Sequence, residues 1–450
     1  MDARETYERV FQLLREHHDF FSRCIPLIAS ENVTSPAVRE ALISDFGHRY
    51  AEGWPGERVY AGCRYIDEVE IIAMELAKEI FRAEFVDVRP ISGVCANLVM
   101  YTAFTEPGDR IMALSIPDGG HISMARKGLW GTAGAVHGLR VQYFEYDDEN
   151  LNIDVDATVK KIRRLEREGR HIKLYLLGAS VFPFPHPVRE ISEIAAEYGA
   201  KVAYDAAHVA GLIGAGLFQD PLREGADCVQ MSTHKTLFGP QRGMILSWER
   251  YAERLKRAVF PANVSNHHLH TLAGLAVALC EFKEFGRAYA RQVVRNAKAL
   301  GQALYERGFK VLGESLGFTE SHVLLVDVVD TPLKNGFKVE KTLEKAGIIV
   351  NRNLLPYDVK KGRHYKEPGG IRLGVSEVTR LGMRESEMEE IAEFMKRAVI
   401  DGENPENISR EVEEFRKKYQ HCHYCFERAV EAYRYIKLRR DSFNNRLYLE

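Results

Sequence analysis

Between Asp154 and Tyr204 the chain switches from helix signals to strand signals and back, and this alternation restricts the fold more than any other stretch. Val155, Val159, Ile162 and Leu165 recur at helical spacing behind Asp154, a capping residue type, and Gly169 ends the run. Ile172 to Leu177 follows as a nearly continuous apolar strand. Val188, Ile191, Ile194, Ala195 and Tyr198 mark a second helix that stops at Gly199, and Lys201 to Tyr204 is the next strand. Strands this apolar, joined by helices, belong in a parallel sheet covered on both faces, with right-handed crossovers. Arg110 to Leu114, Cys228 to Met231 and Met244 to Trp248 read as further strands of it. The fold class is α/β.

A chain of 450 residues exceeds one ordinary core. The pattern divides it into an N-terminal helical segment (1–29), a large α/β domain (30–277), a small α+β domain (278–400) and a C-terminal extension (401–450). Leu269 to Gly308 is long and helical; beyond it, His322 to Val326, Gly347 to Val350 and Gly370 to Gly374 read as strands, with helices around Val339 and Met388. Asp401-Gly-Glu-Asn-Pro405 breaks the pattern, and the remainder reads as a charged helix whose basic end, Lys437 to Arg440, is solvated.

Sixty-two Lys and Arg against 64 Asp and Glu leave a net charge of -2, so no global field recruits nucleic acid or an anionic membrane. No apolar run approaches the roughly 18 residues of a membrane helix, and the N-terminus lacks the apolar core of a secretory signal, so a cytoplasmic location is expected. The 7 cysteines are too scattered for a disulfide framework and are expected to be mostly buried thiols. His421-Cys-His-Tyr-Cys425 would put His421 and Cys425 on one helix face; without a second such pair it is half a zinc site or a helix surface, and no metal is expected.

In parallel sheets, ligands bind beyond the carboxyl ends of the strands. Three such places carry polar residues: Asp205 with His208 nearby, Ser232-Thr-His-Lys235, and Ser92-Gly93 at a helix start. A helix opened by Ser-Gly suits a phosphate. Pyridoxal phosphate requires a lysine for its imine, a carboxylate to keep the pyridine nitrogen protonated, and an anion site. Singly, an aspartate behind a strand is an ordinary helix cap and a lysine between Ser and Thr an ordinary solvated residue.

The wording around them adds more. Asp205-Ala-Ala-His208-Val-Ala-Gly-Leu212 and Ser232-Thr-His-Lys235-Thr-Leu-Phe-Gly-Pro240 resemble segments of the serine hydroxymethyltransferase family. Leu27-Ile-Ala-Ser-Glu-Asn32, Tyr50-Ala-Glu-Gly-Trp-Pro-Gly56, Gly119-Gly-His121, Phe260-Pro261, Val350-Asn-Arg-Asn353 and Gly370-Ile-Arg-Leu-Gly374 match in the same order, and the resemblance covers about Cys24 to Val399. It implies the aspartate-aminotransferase type of fold, with a mostly parallel seven-stranded sheet and a smaller C-terminal domain, in a homodimer whose active sites are shared.

By position, the resemblance makes Lys235 the imine lysine, Asp205 the partner of the pyridine nitrogen and His121 the ring stacked on the cofactor. His208 and Ser180 fall by the cofactor's phenolic oxygen, Ser92 and Gly93 at its phosphate, and His234 among its contacts; Thr233 counts with the catalytic residues. Arg372, assisted by Ser30, grips the amino-acid carboxylate. Glu52, Tyr50 and Tyr60 would come from the neighbouring subunit, Glu52 as the proton-handling group. Ile116, Ile122 and Asn353 would contact a tetrahydropterin, usually tetrahydrofolate. The implied reaction interconverts serine and glycine by Cα–Cβ cleavage with transfer of one carbon to that carrier. The residues also leave open a pterin-independent aldolase or transaldolase for threonine or allo-threonine, and a non-catalytic interaction protein on the same scaffold.

The match breaks in places. Val94 stands where the family has a phosphate-binding hydroxyl, Gly239-Pro-Gln-Arg-Gly243 moves an arginine by one position, and Phe260-Pro-Ala-Asn-Val-Ser-Asn266 replaces a glycine-rich loop. Val59 and Met124 replace polar residues expected near the pterin. The expectation is an intact amino-acid half of the site and an altered carrier half, with aldol cleavage measurable without a pterin.

Overall fold

The computed structural model describes residues 2–427 and 430–438. Seven strands form the central sheet: β1 (Phe85–Asp87), β2 (Arg110–Ala113), β3 (Arg140–Tyr143), β4 (Leu174–Gly178), β5 (Lys201–Asp205), β6 (Cys228–Ser232) and β7 (Gly243–Ser247). Their spatial order is β1-β7-β6-β5-β4-β2-β3. From β6 to β3 every pairing is parallel, and β7 is inserted antiparallel between β6 and β1. Every residue of β4, β6 and β7 is buried, which is why these strands read as unbroken apolar runs without alternation. Asp154 Oδ1 accepts from the Ala157 N–H at 2.9 Å and starts helix Val155–Arg167, while Gly199 closes Val188–Glu197 at φ +67°.

Two strands carry no clear sequence signal. β1 is three residues long and ends in Asp87, a buried charge held by Arg89 at 2.6 Å. β3, Arg-Val-Gln-Tyr, lies at the sheet edge with partly exposed side chains.

The long helix Leu269–Glu306 leads to a second, antiparallel sheet of β8 (Lys310–Val311), β9 (Val323–Asp327), β10 (Asn351–Asn353) and β11 (Gly370–Gly374), in the order β8-β9-β11-β10. Leu272, Leu279 and Val293 of that helix share one hydrophobic core with Leu246 of β7 and Leu324 and Ile371 of the second sheet. The strand expected at Gly347 to Val350 shrinks to Ile348–Ile349, and it pairs in parallel with Ile25–Pro26 outside the small sheet.

The C-terminal extension departs from expectation. Helix Pro405–Arg416 is its one helix among the described residues; thereafter the chain runs as an irregular strap, so His421 and Cys425 share no helix face and Lys437 ends no helix. Arg439 and Arg440 lie outside the described residues. Polar bonds fasten the strap, Gln420 Nε2 donating to the Ser22 carbonyl at 2.9 Å and Arg39 Nη2 to that of Glu431 at 3.1 Å. Of the cysteines only Cys280 is exposed. Among the described residues, no helix is long and apolar enough to cross a membrane.

Candidate active site

Strand ends β5 and β6 meet the start of helix Gly93–Phe104. A Cβ on Gly93 would stand 2.5 Å from Ser232 Oγ, and one on Gly243 would stand 2.3 Å from the Ser92 carbonyl, so the shelf forms only because side chains are missing there. Ser92 caps the helix, its Oγ accepting from the Cys95 N–H at 3.1 Å. Its own O–H and the first helical N–H groups remain for an anion.

Asp205, at the end of β5, is 4% exposed. Its Oδ1 accepts from the Ala207 N–H at 3.0 Å and its Oδ2 from Asn97 Nδ2 at 2.9 Å. Asn97 Nδ2 also donates to Ser123 Oγ at 2.8 Å, and that hydroxyl stands 2.8 Å from His121 Nδ1. The Ser123 N–H donates to His121 Nδ1 at 3.2 Å, so that nitrogen is an acceptor, and the Ser123 hydroxyl, which accepts from Asn97, gives its own proton to it as well. His121 is thereby fixed as the tautomer protonated at Nε2. Burial, then the nearby Lys235 and Arg372, keep this ring neutral against the pull of Asp205.

Burial lowers Lys235 to about 8, with Arg372 adding to the effect and Asp205 opposing it. An amine poised there is available as a nucleophile near neutral pH. Its backbone carbonyl accepts from Asn32 Nδ2 at 2.8 Å, and the same amide donates to Tyr289 Oη at 2.8 Å. His234 is pulled down to about 4 by burial and by Lys235. Its Nδ1 is buried without a partner, and the ring borders a cavity of about 340 Å³ shared with Ser30 and Asn32.

Arg372, on β11, donates from Nε to Asn351 Oδ1 at 3.1 Å and from Nη1 to the Ser180 carbonyl at 3.2 Å. Two bonds fix the plane of the guanidinium and leave its Nη2 side for a carboxylate. Ser30 is brought close by backbone packing, since a Cβ on Gly374 would strike Ala29 Cα at 2.3 Å.

His208, 2% exposed, stacks on His322 with ring centroids 5.5 Å apart. His322 Nε2 must carry a proton because it faces the Ala29 carbonyl at 3.1 Å, so His208 Nδ1, 3.4 Å from that nitrogen, is the bare one. Both rings are held neutral by burial, and His208 keeps an N–H at Nε2.

Ile116, Ile122 and Asn353 border one cavity of about 370 Å³ together with His121, Ser180 and Arg352. The segment with Tyr50, Glu52 and Tyr60 lies elsewhere. Tyr50 and Tyr60, ring centroids 5.3 Å apart, open on a separate exposed cavity of about 590 Å³, and Glu52 accepts a hydrogen bond from Ser265. Among the described residues no hydrogen bond joins these three to Lys235 or Asp205 of the same chain.

Thr233 is fully buried, and its one hydroxyl proton is shared between the carbonyls of Pro240 at 2.6 Å and Arg242 at 3.2 Å, which braces the loop that bears Lys235. One expectation needs correction. Met124 is fully buried in the hydrophobic cluster beneath the sheet with Met100 and Ala133, away from the carrier cavity. Asn97, Ser123, His322 and Asn351 do not stand out as site residues in the sequence; each becomes visible only through the partner it meets.

An anion shelf, a buried carboxylate and an amine drawn toward neutrality, all at neighbouring strand ends, fit pyridoxal phosphate. Together with the mostly parallel seven-stranded sheet, they define a pyridoxal-phosphate enzyme of the aspartate-aminotransferase type of fold. A family profile described as serine hydroxymethyltransferase matches residues 4–395. The chain is 58% identical over 437 residues to a serine hydroxymethyltransferase of Cenarchaeum symbiosum, covering 97% of this chain and 99% of the relative. It is 54% identical over 424 residues to that of Methanocaldococcus jannaschii (94% and 96%) and 49% over 432 residues to that of Pyrococcus horikoshii (95% and 98%). The chain belongs to the serine hydroxymethyltransferase family.

Proposed function

We propose that the chain is a pyridoxal-phosphate-dependent serine hydroxymethyltransferase, interconverting serine and glycine with a tetrahydropterin as one-carbon carrier. The observation that carries this reading is the convergence of Asp205, His121, Lys235 and Arg372, close enough for their charges to act on one another, beside the cavity of Ile116, Ile122 and Asn353.

When bound, the cofactor supplies an electron sink for the pair left at Cα as the Cα–Cβ bond breaks. Ser92, Gly93 and the helix N-terminus hold its phosphate, Asp205 its ring nitrogen, His121 its face, and Lys235 its aldehyde carbon. Arg372 binds the substrate carboxylate on its Nη2 side, Ser30 assisting. His208 Nε2–H and Ser180 border the phenolic oxygen. On this reading residues 30–277 carry the cofactor and 278–400 the carboxylate grip.

Glu52, Tyr50 and Tyr60 serve the neighbouring subunit of a homodimer. Their separation from Lys235 of their own chain and the exposure of Tyr50 and Tyr60, 53% and 44%, support this. A cytoplasmic location completes the proposal. Nothing in the site favours the aldolase reading over it.

The test is serine cleavage by cofactor-loaded protein with and without tetrahydrofolate or another tetrahydropterin. Carrier-dependent release of glycine is expected; a rate indifferent to every tetrahydropterin would return the chain to the aldolases. Lys235→Ala should abolish the yellow colour of the purified protein.

A further inference from the structure

Residues 49–53, which carry Glu52, are gripped along their backbone. Asn266 acts as a strand neighbour would, its Oδ1 accepting from the Ala51 N–H at 3.0 Å and its Nδ2 donating to the Arg49 carbonyl at 3.2 Å. Arg58 Nη1 donates to the carbonyls of Ala51 at 2.9 Å and Gly53 at 2.7 Å, and the Val59 N–H to that of Glu52 at 3.1 Å. The Glu52 carboxylate, by contrast, has one hydrogen-bond donor among the described residues, Ser265 Oγ. An unanchored glutamate retains several rotamers, and one donor is enough to select among them.

The donor's own loop is anchored by a buried chain of three charged side chains and a neutral histidine. Arg242 can only donate, so His267 Nδ1 accepts from it and His267 Nε2 carries the proton that faces Glu70 Oε2 at 3.2 Å. Glu70 in turn pairs with Arg58 Nη2 at 2.6 Å. The Arg58, Glu70, His267 and Arg242 side chains are at most 3% exposed, and removing any one strands its neighbours' charges away from water. The chain runs from the segment that carries Glu52 to the residue that follows Asn266.

We propose that Ser265 is a positioning residue for Glu52: its hydroxyl selects the carboxylate rotamer in which Glu52 works, while Asn266 and His267 fix where that hydroxyl stands. The proposal rests on the reading of Glu52 as the proton-handling group. It gives the loop that lacks the family's glycines a task of its own.

The test uses full-length, cofactor-loaded Ser265→Ala, Ser265→Thr, Glu52→Gln and the Ser265→Ala/Glu52→Gln double variant, with serine as substrate at saturating carrier. A displaced proton-handling group should lower kcat of Ser265→Ala by about 10- to 100-fold and leave the serine KM within about threefold. Ser265→Thr, which keeps the hydroxyl, should recover most of kcat, and on the Glu52→Gln background Ser265→Ala should have no further effect. Wild-type kcat in Ser265→Ala alongside an impaired Glu52→Gln overturns the proposal and spares the reading of Glu52, as does full multiplicative loss in the double variant. Wild-type turnover in Glu52→Gln overturns both.

Discussion

Asn97 Nδ2 stands 2.9 Å from Asp205 Oδ2, and the same nitrogen serves Ser123, so one buried amide ties the strand-end carboxylate to the ring of His121. Asn97 reaches across from the helix that also forms the anion shelf. The carboxylate, the shelf and the ring therefore move as one unit.

Replacing Asn97 with alanine leaves Asp205 Oδ2 and Ser123 Oγ buried without that donor. Asn97→Ala should lose about 1–3 kcal/mol of stability in urea and bind pyridoxal phosphate more weakly. An unchanged unfolding midpoint with unchanged cofactor affinity would show that the link is idle.

Lys235, with burial pulling it to about 8, should make cofactor capture pH-dependent below that value. About a tenth of it is neutral at pH 7, against roughly one part in three thousand for a lysine at 10.5. The rate at which cofactor-free protein turns yellow should rise toward pH 8 and then level off. Stability of the cofactor-free protein follows the same sign: between about 8 and 10.5 the unfolded chain holds this proton and the folded one does not, so this group makes stability rise with pH there. A capture rate still climbing tenfold per pH unit above pH 9 would contradict the assignment.

Arg372→Ala should raise the serine KM by two orders of magnitude or more, on the order of 2–5 kcal/mol, with a smaller effect on kcat. Arg372→Lys should rescue little, because lysine cannot reproduce both the Nε bond to Asn351 and the Nη1 bond to Ser180. Steady-state kinetics of the two variants decide the matter, and a lysine variant close to wild type would refute the fixed-plane argument.

Burial, reinforced by Glu31 and Cys422 and opposed by the Tyr433 hydroxyl and Arg416, raises Glu377 to about 7. The folded state then holds a proton that the unfolded chain releases near 4.5, so stability falls as pH rises from about 4.5 to 7 and is level above. Glu377→Gln should remove that fall, on the order of 2 kcal/mol, from denaturant midpoints compared at pH 5 and pH 8. Parallel pH profiles for wild type and variant would sink the prediction.

The large-sheet strands that proved readable, β2 and β4 to β7, are those buried along nearly their whole length, since burial writes an apolar run directly into the chain. β1 and β3 were hidden because Asp87 and Arg140 interrupt that run for local reasons, an ion pair in one case and a sheet edge in the other. Lys235, Asp205 and Arg372 stood out because their segments carry chemistry in a recognisable wording. His322 did not, because nothing in its own neighbourhood tells that it will face Ala29 and His208. The displaced arginine is the instructive failure: Arg242 looked like a change at the site, yet it is buried and donates to the Val88 and His268 carbonyls at 2.5 and 2.7 Å. Its partners are scattered through the chain, so spacing could not have found them.

The parallel pairing of Ile25 with Ile348 bears on how the protein is made. Leu27, just before Ser30 and Asn32, is bonded on both sides by residues from far downstream, its N–H to the Ile349 carbonyl and its own carbonyl to the Gly374 N–H, each at 2.8 Å. On the ribosome these early residues emerge long before their partners exist. A nascent chain can close the sheet that bears Asp205 and Lys235 while Ile25 and Leu27 are still without shelter, and such apolar stretches are what holding chaperones bind. The strands that bear Asp205 and Lys235 are thus synthesised well before the wall that Ser30 belongs to can be completed, since its partners lie in the last quarter of the polypeptide.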